Sequence, residues 1–191
     1  MPDALELLKS RKSISSAFLV APAPSEAQVN EILTIASRVP DHGKLAPWRF
    51  ILFRGDAGRQ ASERLARLFQ EKNPGAEQKQ IDEERIRLAK APMVIAVVSK
   101  AAPHPKIPEV EQLLSAGNAA MNVVLAASAL GFAAQWTTGW IAYDDDAGRL
   151  LGLAAGERFV GFIHIGTPNA PPTDRPRPSL ADIVSEWRPP A

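Results

Sequence analysis

The stretch EQLLSAGNAAMNVVLAASALGF, residues 111–132, decides how the rest of the chain must pack. It predicts a helix from about Glu109 to Leu130 that is nearly apolar all round, interrupted by Asn118 and Asn122 and closed by Gly131 in the usual C-cap place. No run of about 18 unbroken apolar residues occurs, so a membrane span is not expected. A helix apolar on every side is instead buried in a core or between subunits. Ala116, Gly117, Ala119, Ala120, Ala126 and Ala127 would let a neighbouring backbone come close, and a subunit interface is the expectation.

The elements around this helix alternate. Upstream, MVIAVVS at 93–99 is β-branched and apolar throughout, which predicts a central strand buried on both faces. FILF at 50–53 reads as a second strand, ended by Gly55. Pro2 and Asp3 look like the start of a short first helix that ends near Arg11 and Lys12. Ser25 and Gln28 make a capping box for a second helix, with Val29, Ile32, Leu33, Ala36 and Val39 at helical spacing. Ala61, Leu65, Leu68 and Phe69 mark a third, broken by Asn73, Pro74 and Gly75. Residues 77–90 are mostly polar and read as a solvated helix or mobile segment that could cover a site. Downstream come FAAQW, the turn TTG, a short helix near Asp144–Asp146, and RFVGFIHIG at 158–166. A proline-rich tail then carries Arg175 and Arg177. With 191 residues and no repeat or linker, one domain covering 1–191 is expected, with α/β as the starting class.

The charge balance, 22 Lys plus Arg against 21 Asp plus Glu, provides no global field for nucleic acid or an anionic membrane, so any anion site must be local. There is no cysteine, which excludes a disulfide framework, a thiolate nucleophile and cysteine zinc sites. The N-terminus has no apolar core of signal length and its charges follow the apolar residues, so a cytoplasmic protein is expected. No Walker loop, GxGxxG or GxSxG elbow appears, and His42, His104 and His164 lie too far apart in sequence for a local metal motif.

What remains is a set of polar clusters at element ends: Arg11, Lys12 and Ser13; Arg38, His42 and Lys44; Arg175 and Arg177. Guanidinium forks and hydroxyls suit a phosphate, which points to a phosphorylated cofactor. Each cluster has an ordinary reading beside it. Arg11 and Lys12 complement a helix dipole, Asp41 and His42 cap a turn, and Trp48 and Trp136 fill core volume.

RKS at 11–13, RVPDHGKLAPWRF at 38–50, the long helix, QWTTG at 135–139, and VGFIHIGTP followed by RPRP stand in an order that resembles the FMN-dependent nitroreductase family. Within it, the PDH and the compact length look most like the YdjA-like branch. The resemblance runs from Ala4 to about Val184. It implies an α+β fold, a central mainly antiparallel sheet flanked by helices, in an intertwined homodimer with two FMN sites at the interface. By the same resemblance Arg11, Lys12 and Ser13 grip the FMN phosphate and ribityl chain, and Arg177 joins at the phosphate. Arg38 and His42 line the flavin, Trp136, Thr137 and Thr138 run past it, and backbone N–H groups near Thr138 and Gly139 donate to N5. Two positions depart from the pattern: Ser16 stands where a second arginine is common, and Ala46 where a glutamine is common.

The implied activity takes a hydride from NAD(P)H and passes it to a nitroaromatic, quinone or similar small-molecule acceptor by a ping-pong scheme. No side chain need act as a covalent catalyst. Lys44 or His42 would place positive charge near the flavin's pyrimidine edge. Reductive dehalogenation or flavin fragmentation on the same fold, a flavin-binding module without turnover, and a protein with no cofactor stay open as alternatives. Neither nucleic acid nor membrane is expected as a partner.

Overall fold

A computed structural model describes residues 3–171 and 174–190. Its organising element is the strand predicted from MVIAVVS, in which all seven residues are buried. In chain order the first elements are α1 (Ala4–Ser10), β1 (Leu19–Val20), α2 (Glu26–Ala36), β2 (Trp48–Arg54), α3 (Asp56–Lys72) and α4 (Gln78–Arg85). They are followed by β3 (Met93–Ser99), α5 (Glu109–Ala129), β4 (Ala133–Thr137), α6 (Asp145–Leu150), β5 (Arg158–Pro168) and α7 (Leu180–Ile183). The sheet runs β1-β5-β3-β2, with β4 also paired to β5. Every pairing is antiparallel. The alternation of helices and strands thus does not build the parallel sheet of an α/β domain, and the class is α+β.

Two apolar layers sandwich β3. One face carries Met93, Ile95 and Val97 against Val29 and Ile32 of α2 and Ala120, Val123 and Ala127 of α5. The other carries Val94, Ala96 and Val98 against Leu65 of α3 and Ala147 of α6. Period-two alternation sends successive residues to opposite layers, which explains why no polar residue interrupts this strand.

Several boundaries differ from the sequence expectation. The second helix stops at Ala36 rather than reaching Val39, and the hydroxyl of its cap residue Ser37 donates back to the Leu33 carbonyl. The strand expected at 50–53 extends over Trp48–Arg54, because its pairing with β3 continues through both ends. Residues 77–90 are anchored: Ile81, Glu84 and Leu88 are buried, and the Ser62 hydroxyl accepts from the Leu88 N–H. Helix α5 is mainly apolar on its buried side, where Gln112 and Ser115 also lie, but it also presents Val110 and Leu114, the latter 63% exposed. Trp136 is 38% exposed rather than core. Pro2, expected to open α1, lies outside the described residues, while α1 itself starts at Ala4.

His164 of β5 is 3% exposed, and its Nδ1 has no hydrogen-bond partner. Burial pushes its pKa down to about 4 from 6.5, and the nearby cations Arg87 and Lys90 push the same way. The folded chain therefore holds this imidazole neutral, while the unfolded chain takes up a proton below pH 6.5. Stability is full above that value and falls as the pH drops from 6.5 to 4, by on the order of 3 kcal/mol. Urea denaturation at stepped pH should show this loss in the native chain and a flatter profile for His164→Gln; equal slopes in the two would contradict the assignment.

Candidate functional site

The chain entering the sheet from α1 supplies the first half of the site. The Ile14 N–H donates to the Ala134 carbonyl at 3.3 Å, and the Gln135 side chain accepts from the Ser16 N–H at 2.6 Å. Those two bonds pin residues 11–16 against the outer edge of β4. The tail returns to the same place, and Arg11, Lys12, Ser13, Asp174, Arg175 and Arg177 line a cavity of about 100 Å³. Lys12 and Arg177 approach the Asp174 carboxylate at 3.7 and 3.5 Å. Four cations thus surround one carboxylate, with the Ser13 hydroxyl beside them. The charge balance and size fit a phosphate group, whose oxygens accept from guanidinium, ammonium and hydroxyl donors alike. The four residues predicted for phosphate binding, Arg11, Lys12, Ser13 and Arg177, are therefore brought together, although 164 positions separate Ser13 from Arg177.

The second half lies in the loop between α2 and β2. Asp41 accepts from the Leu45 and Ala46 N–H groups at 3.0 and 2.9 Å. This clamp holds Lys44 and Ala46 at positive φ, 56° and 44°, which side chains rarely adopt. Asp41 is thus the loop's organiser, and Ala46 is one of the two non-glycine residues it holds at positive φ. The His42 Nδ1 meets the Glu111 carboxylate at 2.8 Å, with both groups exposed. Asn122 donates to the Ile35 carbonyl at 3.1 Å and to the Arg38 carbonyl at 3.4 Å, and the Ser115 hydroxyl donates to the Pro40 carbonyl. The loop carrying Arg38 and His42 is therefore fastened along α5, from Glu111 in its first turn to Asn122 in its second half.

Between the halves runs β4 and the turn after it. From Ala134, where Ile14 is hooked, to Thr138 the strand covers about 13 Å. The Trp136 indole N–H donates to the Val160 carbonyl at 3.3 Å, and the Thr137 hydroxyl to the Phe162 carbonyl at 3.4 Å. Gly139 continues at φ 84°, and the Arg87 guanidinium stands 3.3 Å from where a Cβ would be. Arg87 is held there by a two-point ion pair with buried Glu84.

Within one chain, then, Arg11, Lys12, Ser13 and Arg177 form one group, and Trp136, Thr137, Thr138 and Gly139 extend from it along β4. Arg38 and His42 do not join them. His42 meets Glu111 in the opening turn of α5, about 27 Å of helix from the closing turn whose strand adjoins the phosphate-sized cavity, and the Arg38 carbonyl is held by Asn122, about 10 Å of helix from that turn. The sequence reading missed Asp174, Glu111, Gln135 and Arg87. Only Gln135 had a visible signal, as a polar residue inside an apolar strand. The other partners are set by tertiary contacts. Among the described residues no group of three or more potential metal ligands occurs, and no helix is long and apolar enough to cross a membrane.

Residues 8–167 match the sequence profile of the Nitroreductase family. Two relatives carry the name "Putative NAD(P)H nitroreductase". One, YdjA of Escherichia coli strain K12, is 37% identical over 168 residues, covering 87% of this chain and 88% of its own. The other, from Haemophilus influenzae, is 38% identical over 166 residues, covering 86% and 88%. Among solved structures, the nitroreductase-like protein from Bacillus cereus matches with a TM-score of 0.82 at 22% identity, covering 98% of this chain and 97% of that one. A variant of the FMN and NADPH-dependent nitroreductase NfnB from sphigopyxis sp. strain HMH matches at 0.71 and 19% identity, covering 96% and 98%. The profile match and the relatives' identity over most of the chain place this protein in the Nitroreductase family, with that family's fold and its oxidoreductase character.

Proposed function

We propose that the chain acts as one domain in a cytoplasmic homodimer, as an FMN-dependent oxidoreductase with NADH or NADPH as donor. The observation that carries this reading is the division of the site. A phosphate-sized cation cradle and a strand edge lie at one end of α5, and a polar, strained loop lies at the other, with exposed apolar residues such as Val110 and Leu114 on the helix between them. FMN, when bound, supplies a ring that takes a hydride from NAD(P)H and gives it to a nitroaromatic, quinone or similar acceptor, the two visiting in turn.

The chain's own residues bind and orient. Arg11, Lys12 and Arg177 hold the phosphate by charge-assisted hydrogen bonds, and Ser13 donates its hydroxyl. The backbone N–H groups of Thr138 and Gly139 donate toward N5, while Trp136 and Thr137 flank the ring. Arg38 and His42 of the partner subunit close the site, and His42 or Lys44 sets positive charge near the pyrimidine edge, where it favours a reduced, anionic flavin. The shared names of the relatives support the nicotinamide donor, and the FMN-dependent neighbour supports the cofactor.

Purified protein should show a flavin absorption band that bleaches anaerobically on adding NADPH or NADH. No flavin band even after adding FMN would contradict the proposal, and a bound flavin that neither donor reduces would favour a binding module without turnover. Arg11→Ala with Ser13→Ala should release FMN on dialysis, weakening its binding by at least about 100-fold while the far-ultraviolet circular dichroism stays native. Unchanged flavin content would remove the phosphate assignment.

A further inference from the structure

Trp136 lies on the edge strand β4, opposite Ile163 of β5. Its side chain faces the same side of the sheet as Ile163 and, two residues back, Gly161. Across an antiparallel pair such a diagonal neighbour is within reach of a large aromatic. Here the indole uses that reach fully. A Cβ built on Gly161 would stand 2.0 Å from the Trp136 Nε1, 2.6 Å from its Cδ1 and 2.9 Å from the Thr137 carbonyl oxygen. The space is not a general looseness of the strand, because neighbouring Phe162, Ile163 and Ile165 are all fully buried. Gly161 leaves one slot in a packed strand, and the indole occupies it, fixed by its N–H bond to the Val160 carbonyl. The register between β3 and β5 also shifts beside this point, after Val97 opposite Gly161.

We infer that Gly161 is a positioning residue for the redox strand: by leaving this slot it lays the Trp136 indole down against β5 and keeps the outer edge of Trp136–Gly139 open to a planar ring. The inference rests on the flavin reading of that strand given above. Any side chain at 161 meets ring atoms and backbone rather than the far end of a flexible chain, so the indole must lift outward. That movement would carry it toward the edge where Thr138 and Gly139 present their N–H groups.

The test is a double-mutant cycle read by FMN titration, with 5-fluorotryptophan labelling and fluorine NMR in parallel. The Trp136 resonance is assigned by its disappearance in Trp136→Phe. Gly161→Ala should move that resonance and weaken FMN binding by about tenfold or more. In a Trp136→Leu background, the same change should cost at least about threefold less than in the native chain, because the ring that filled the slot is gone and only the Thr137 carbonyl still faces the new methyl group. A Trp136 resonance that does not move, or an equal loss in both backgrounds, would overturn the inference. Where Gly161→Ala alone fails to fold, recovery of folding in the Trp136→Leu background supports the slot, and failure in both overturns it. A native chain that binds no FMN defeats the flavin reading instead, and the resonance then still decides whether Gly161 seats the indole.

Discussion

The packing of α5 against the sheet is the constraint on which the remaining structure depends. One side of this helix is buried over Ala116, Ala119, Ala120, Val123 and Ala127, whose small side chains bring its backbone close to the strands and to α2. Its length, about 30 Å for 21 residues, then sets the scale of the site. The strained loop after α2 is tied to its opening turns at Glu111 and Ser115, the Arg38 carbonyl is held further along at Asn122, and β4 with its docked N-terminal segment leaves from its end. Buried apolar area of this kind is the main favourable contribution to folding. The site's polar groups thus sit where the core's geometry puts them, at the helix ends, and not within the core.

Electrostatics acts locally on this scaffold. A net charge of +1 gives the protein no long-range field, yet four cations converge around Asp174. Grouped charges of this sort, with few counter-charges, are worth more toward a dianion than toward each other. By contrast, the exposed ion pair of His42 with Glu111 contributes little to stability, since such pairs are typically worth under about 1 kcal/mol. Its effect is to fix which ring nitrogen points away from Glu111. Arg87 differs again, because its partner Glu84 is buried, and the pair holds a guanidinium beside Gly139 with little freedom.

Much of this was legible in the sequence, and the parts that were not share a physical cause. β3 was readable because burial on both faces forces an unbroken apolar run. α2 announced its start through Ser25 and Gln28, both of whose capping bonds form. Arg11, Lys12, Ser13 and Arg177 were singled out by residue type and by resemblance, and they do converge. The alternation of elements alone pointed to α/β, whereas the resemblance implied the α+β class with an antiparallel sheet that the fold has, since strand direction depends on how connections cross the sheet and not on element order alone. Residues 77–90 looked solvated because only Ile81, Glu84 and Leu88 turn inward, too few to dominate a polar segment. Trp136 was expected in the core, yet its burial depends on a glycine 25 residues away, and Glu111 and Asp174 find their partners only through the fold.

The central claim is that each flavin site draws its phosphate cradle from one subunit and its polar loop from the other. It is tested most directly by mixing two defective variants, Arg11→Ala/Ser13→Ala and Arg38→Ala/His42→Ala, under conditions that exchange subunits. In a mixed dimer one site receives both defects and the other receives neither. Random exchange should therefore restore tight FMN binding to about a quarter of the sites, although neither variant alone retains it. A mixture that binds no more FMN than its separate components would contradict the shared site.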